Sequence, residues 1–293
     1  MFIGVVGLNL DKKVNKKSAK DIKQERNDRL MQGVSVWAAY FRYNPQRFVR
    51  DYLNIDLKLF QKILLYAMMH NNHFMYLASR GQGKTWLTAL FCVVRCILFP
   101  GSKICIASGN RPQANQILSK IVEDFMINYD WGSENLKNEI SGHTINANKG
   151  EIMFRNGSWI KVVTASDGGR GNRANILLVD EFRMVDKDTI DTVLKKFLTS
   201  PRQPLYLRNP KYKHLNERNI EMYMSSAWYK SHWSFEKAKA FTVNFLRDNV
   251  KYFICGLPYQ VSIKEGLLLR EAVEDEMSED DFNPINFSIN FLC

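Results

Sequence analysis

The sequence predicts an α/β fold, a mainly parallel sheet flanked by helices, and three observations carry that prediction. From residue 74 onward, short apolar runs bounded by Gly, Ser and Asn alternate with stretches of helical spacing, as when strands return in one direction through crossover helices. One of these runs, FMYLAS, passes into a glycine-containing turn that opens a helix. Another, ILLVD, is four apolar residues closed by an acid and reads as a strand buried on both faces.

Ahead of that alternation, residues 11–29 hold eight basic and four acidic side chains, with only Val14 and Ile22 as larger apolar residues. They cannot supply a core, so 1–30 is expected as a basic arm, either simply solvated or bound to a polyanion. From Val34 to Met69 apolar residues recur at helical spacing, interrupted by Pro45, which predicts two or three helices ahead of the core. Strands are then expected at 74–79, 103–108, within 151–165, at 176–180 and at 220–227, with helices at 84–98, 112–128 and 187–198. The core domain with its N-terminal helices is therefore placed at 31–227. Residues 228–293 are assigned to a small C-terminal lid subdomain, comprising a helix in HWSFEKAKAFTVNFLRD, the strand-like KYFICGL and the acidic EAVEDEMSEDDF.

Composition narrows the function. The 293 residues carry 41 Lys and Arg against 30 Asp and Glu, a formal charge of +11, and this excess predicts a polyanionic partner. At 45% apolar and 24% charged the chain has a globular composition. No run reaches the roughly 18 to 20 apolar residues of a membrane-spanning helix, no secretion signal is read at the N-terminus, and a cytoplasmic location is expected. Five cysteines without a CxxC pair, and scattered histidines, argue against zinc; Cys92 and Cys96 read as buried thiols.

The segment MYLASRGQGKTWLTAL carries the strongest chemical signal. A strand, a glycine turn and a helix start place the backbone N–H groups of Ser79, Arg80, Gly81, Gln82 and Gly83 where they can cradle a β-phosphate at the positive end of a helix. Lys84 would reach the β- and γ-phosphates of ATP, and the Thr85 hydroxyl would ligate Mg²⁺. The pattern departs from GxxxxGK[ST] only at its first position, which is Ala78. A second element should then hold the metal and orient water. ILLVDEFRMV supplies it, with Asp180 for Mg²⁺ and Glu181 for the nucleophilic water. Read alone, that run would be a strand ending in an acidic turn; beside the loop it completes a P-loop NTPase of the RecA/ASCE-like kind. Arg170 and Arg173, in SDGGRGNRAN, and Arg80 are the candidate cations for the γ-phosphoryl transition state. Asp186, Asp188 and Asp191 raise a two-metal nuclease as a rival, but VDKDTIDTVL reads as a capped helix start with acids in its first turn.

WAAYFRYNPQRFVRDYL, LKLFQKILLYAMM, ASRGQGKT, RGNRANILLVDEFRMV and MSSAWYKSHW, in this order and spacing, resemble the ATPase domain of the large terminase subunit of tailed bacteriophages from about Trp37 onward. The resemblance implies an ATP-driven motor that moves double-stranded DNA into a procapsid. Its subunits would form a homo-oligomeric ring, each monomeric in isolation, on the portal protein and with the small terminase subunit, in the cytoplasm of the infected bacterium. It also implies that Gln61 recognises adenine, that Ser225 and Ser226 form a coupling motif, and that Arg170 acts across subunits. Large terminases continue into a nuclease domain; FNPINFSINFLC resembles the junction before it, so no DNA cleavage is expected from these residues. A helicase-like DNA-dependent ATPase is the alternative, disfavoured because the residues after Ser226 are too few for a second such core. A nucleotide-responsive docking module with weak hydrolysis is the other. Mixing Arg170→Ala subunits with Glu181→Ala subunits should restore hydrolysis at mixed interfaces, measured as phosphate release. No recovery where wild-type rings assemble and hydrolyse would place Arg170 outside any trans role.

Overall fold

The computed structural model describes residues 18–164, 173–247 and 251–292. Two compact units divide the chain between Tyr43 and Asn44. In the first, helix α1 (Ala19–Tyr43) starts inside the stretch expected as an arm. A reciprocal cap sets that start: the Asp21 N–H donates to Ser18 Oγ and the Ser18 N–H to Asp21 Oδ2, each at 3.1 Å.

The second unit opens with α2 (Pro45–Leu53) and α3 (Leu59–His70), which precede β1 (His73–Ala78) and α4 (Lys84–Leu98). Every residue of α4 from Leu87 to Leu98 is buried, including Cys92 and Cys96, whose thiols burial pushes up. Next come β2 (Lys103–Ala107), α5 (Arg111–Ser119) with a π-helical extension, α6 (Trp131–Glu139), β3 (Ile140–Ile145), β4 (Gly150–Phe154), β5 (Trp159–Val162) and β6 (Ile176–Asp180). The order then runs α7 (Lys187–Thr192), β7 (Ile220–Ser225), α8 (Trp233–Phe245), β8 (Tyr252–Leu257), α9 (Tyr259–Lys264), α10 (Arg270–Ser278) and α11 (Pro284–Phe287).

The eight strands form one sheet in the order β3-β4-β5-β2-β6-β7-β1-β8. Pairings from β5 through β2, β6, β7 and β1 to β8 are all parallel; β3-β4 and β4-β5 are antiparallel. The mainly parallel sheet is thus extended by an antiparallel meander. Strand β3 was not anticipated, because four of its six residues are exposed and it has no apolar run. On one face Met75, Cys105, Leu177, Val179 and Tyr223 pack beneath Ile190, Leu194, Phe197 and Phe241, which come from α7, the turn after it and α8.

The boundary expected at 227 moves. β8 pairs with β1 in parallel from His73↔Tyr252 to Ala78↔Leu257, and Phe241 of α8 joins the main core. A separate small core, Val273, Phe287 and Phe291 with Tyr259, Ile263, Leu268 and Phe282, forms only after β8. Between α7 and β7 the chain makes an excursion fixed by buried charge. Glu217 is held by Arg95 and Arg202, and Arg202 also donates to the Pro100 carbonyl at 3.0 Å and to the Tyr206 hydroxyl at 2.8 Å.

Gly132, in the first turn of α6, lies against the end of α2, where an added Cβ would overlap the backbone carbonyl of Leu53. Gly132→Ala should therefore lower unfolding free energy by about 1–3 kcal/mol in urea titration. Gly142→Ala, with nothing within 4 Å of the added carbon, should stay within about 0.5 kcal/mol of wild type. Equal behaviour of the two variants would contradict this packing.

Candidate active site

The sheet topology builds the site. β7 lies between β1 and β6, with Leu77↔Ser225 and Asp180↔Met224 in register, so three strands end side by side at one edge. The turn leaving β1 winds tightly through Gly81 (φ 81°) and Gly83 (φ 65°), conformations that side-chain-bearing residues rarely adopt. Gly83 is the N-cap of α4 and offers no side-chain cap, so the first N–H groups of the helix are left for an external acceptor.

Lys84, the first residue of α4, forms an ion pair with Glu181 and lies 3.8 Å from Asp180 Oδ1. Burial pushes the Asp180 carboxyl above its ordinary value, opposed by the nearby Lys84 charge. Asp180 is 2% exposed, and its Oδ1 has no hydrogen-bond partner. Glu181 sits in the left-handed region (φ 45°), a conformation strained for a residue with a Cβ. Its other oxygen accepts from Ser225 Oγ at 3.0 Å and faces Arg183 Nε at 3.4 Å. Arg183 also donates to the Ala227 carbonyl at 3.0 Å and lies over the Trp228 ring at 4.2 Å.

The other expected residues take distinct places. The Ser79 hydroxyl is buried without a partner, Thr85 is partly exposed at the helix start, and Ser226 is partly buried just past β7. Gln82 turns inward: it accepts from the Tyr76 hydroxyl at 2.5 Å and donates to the carbonyls of Leu257 and Pro258 at 2.8 and 3.1 Å. Only its backbone is left to face a phosphate. Arg80 points outward and pairs with Glu276 of α10 at 3.2 Å, while its N–H donates to the Asn290 carbonyl at 2.7 Å. Gln61 accepts the Lys58 N–H at 2.9 Å as part of the α3 capping box.

Arg170 lies outside the described residues. Arg173 is a correction. It precedes β6, whose five residues span about 16 Å, so it stands at the opposite edge of the sheet from Asp180 and cannot serve its own subunit's site. The acids after Glu181 have local roles in and around α7. Asp186 accepts the Thr189 N–H at 2.9 Å, Asp191 pairs with Lys195 at 2.8 Å, and no three-residue metal cluster occurs among the described residues. Arg183 was missed by sequence reasoning; its signal was an arginine two positions after Glu181, in the same turn.

The donor set fits a nucleotide with a divalent cation. An orphaned, buried carboxylate oxygen in Asp180 and a hydroxyl at the first turn of α4 suit a hard cation, and uncapped helix N–H groups suit phosphate. A glycine-wound turn between β1 and α4, facing an acidic pair at the end of a strand one removed in the sheet, defines a P-loop NTPase. The chain belongs to the terminase large subunit family, T4likevirus-type, whose N-terminal model matches residues 75–254, well over half the chain.

Solved structures agree on the fold. The large terminase ATPase domain of Thermus phage P74-26 is similar at 13% identity and TM-score 0.55, over 83% of this chain and 95% of that one. The large terminase of bacteriophage HK97 is similar at 13% identity and TM-score 0.59, over 81% of this chain and 50% of that one. A thermophilic bacteriophage large terminase in complex with ADP matches at 10% identity and TM-score 0.50, over 79% and 52%. The chain thus spans about half the length of these last two proteins. No curated protein matches in sequence.

The Asp180 environment makes a pH prediction. A carboxyl whose folded value is raised favours folding below its unfolded value, and that contribution is lost as pH rises through the folded value. Ionised Asp180 is therefore a cost to the free protein at neutral pH. Asp180→Asn should raise the thermal midpoint at pH 7, the gain shrinking as pH falls through the raised folded value and vanishing below about 4, and should abolish extra stabilisation by ATP with Mg²⁺. An Asn variant less stable than wild type at pH 7 would contradict this reading.

Proposed function

We propose that the chain is the ATP-hydrolysing motor domain of a DNA-packaging machine, converting Mg²⁺-dependent ATP hydrolysis into movement of double-stranded viral DNA into a procapsid. The observation carrying this reading is the meeting of Lys84 with Asp180 and Glu181, with Ser225 donating to Glu181. Ser79, Gly81, Gln82 and Gly83 would present backbone donors to the phosphates, Lys84 would neutralise the β- and γ-phosphate charge, and Gln61 would contact adenine. Asp180 and Thr85 would hold the Mg²⁺, which supplies charge neutralisation for the transferring phosphoryl group.

Glu181 would accept a proton from the attacking water and orient it. Ser225 on that same carboxylate, and Ser226 next to it, connect the event to the end of β7, which is how a coupling motif would sense hydrolysis. Arg80 or Arg170 would supply the added cation for the transition state. The ring, the portal protein, the small terminase subunit and action in the bacterial cytoplasm belong to the same proposal, supported by family membership.

Lys84→Ala should abolish hydrolysis and weaken nucleotide binding, because the ammonium acts in both ground and transition states. Glu181→Ala should lose hydrolysis while still binding ATP. Phosphate release and equilibrium binding of a fluorescent ATP analogue separate the two. Equal loss of affinity in both variants would overturn the assigned roles.

A further inference from the structure

The nucleotide site uses the edge of the sheet where the strands end. At the opposite edge, where they begin, the backbone hydrogen bonds form a continuous belt. Lys251 accepts from His73 and Asn72 at 3.1 and 3.0 Å, Asn72 accepts from Glu221 at 2.8 Å, Asn175 accepts from Ile220 at 2.9 Å, and Lys103 accepts from Asn175 at 3.0 Å. This belt fixes four exposed cations in a row: Lys103 opens β2, Arg173 precedes β6, Arg218 precedes β7 and Lys251 precedes β8. None of the four makes an ion pair among the described residues.

Five neighbouring strands, β2, β6, β7, β1 and β8, span four spacings of about 4.8 Å, so the row is about 19 Å long. That is just over half the 34–36 Å turn of a duplex. The excursion before β7 adds exposed Arg208 and Lys213 and contains a single acid, Glu217, which Arg95 and Arg202 already hold. Acids gather instead on α10, tied to the other edge through Glu276 and Arg80.

The geometry points to this row as a docking surface for the phosphate backbone of double-stranded DNA, on the side of the sheet away from the nucleotide. Phosphate contact, not base stacking, fits the chemistry: His73 and Tyr252 stack on each other at 4.2 Å, and Trp159 carries Lys161 at 4.9 Å, so the rings nearest the row are already covered. That the polyanion is duplex DNA rests on the proposed function.

The test compares the full chain with two charge-matched triple variants, Lys103→Ala/Arg218→Ala/Lys251→Ala and Lys62→Ala/Lys137→Ala/Lys264→Ala. Binding of a fluorescein-labelled random-sequence duplex is followed by anisotropy across a salt series, with basal ATP hydrolysis and sedimentation measured in parallel. Removing the row should weaken duplex binding uniformly across sequences and flatten the salt slope by about 0.9 for each lost contact, close to 3 in all. The control triple and basal hydrolysis should stay at the wild-type level. If both triples bind DNA as wild type does, the duplex sits elsewhere and the row is overturned while the motor reading stands. If wild type hydrolyses ATP but binds no duplex, both the row and the DNA half of the motor reading fail. Unchanged DNA affinity with loss of salt-sensitive self-association would instead assign the row to an acidic face of a second copy and overturn the proposal.

Discussion

The structure turns on how a lysine and two adjacent carboxylates are held together in a cleft that excludes most water. Lys84 belongs to the helix after β1, Asp180 and Glu181 to the end of β6, and β7 lies between the two strands. Burying charge is costly unless it is paired. The local answer is near-neutrality: Lys84 and Arg183 face Asp180 and Glu181. Ser225 adds a neutral donor to the Glu181 carboxylate and so ties the end of the intervening strand to the residue that follows β6. The left-handed backbone at Glu181 is part of that arrangement, since it turns the chain directly after β6.

Much of this was legible in the sequence because it is written in short-range patterns. The elements β6 (176–180) and α4 (84–98) come out at their expected limits, since an uninterrupted apolar run bounded by an acid and a helix opened by a glycine leave little freedom. Lys84 opposite Asp180 and Glu181 was likewise expected from residue type. What escaped depends on long-range pairing. β3 has four exposed residues and becomes a strand only because β4 offers hydrogen bonds to it. β8 reads as part of a separate lid until β1 pairs with its whole length. The inward turn of the Gln82 side chain, whose amide meets the Tyr76 hydroxyl and the carbonyls of Leu257 and Pro258, was not anticipated, since only its backbone N–H was expected to serve a phosphate. Arg173 shows how strand direction decides a role, since a residue placed before β6 emerges at the far edge from one placed after it.

The glycine turn after β1 is fastened at several points to the end of β8 and the residues that follow it. Gln82 donates to Leu257 and Pro258, the Arg80 N–H to Asn290, and Arg80 pairs with Glu276; the backbone at Gly81 lies against Leu268. Free-energy linkage makes such attachments work in both directions. If a bound phosphate changes the turn by an amount these contacts resist, then whatever holds α9 to α11 in place alters the affinity for that phosphate by the same factor. A body gripping the small C-terminal core would thereby tune the nucleotide site without touching it, and the nucleotide would set how firmly that body is held.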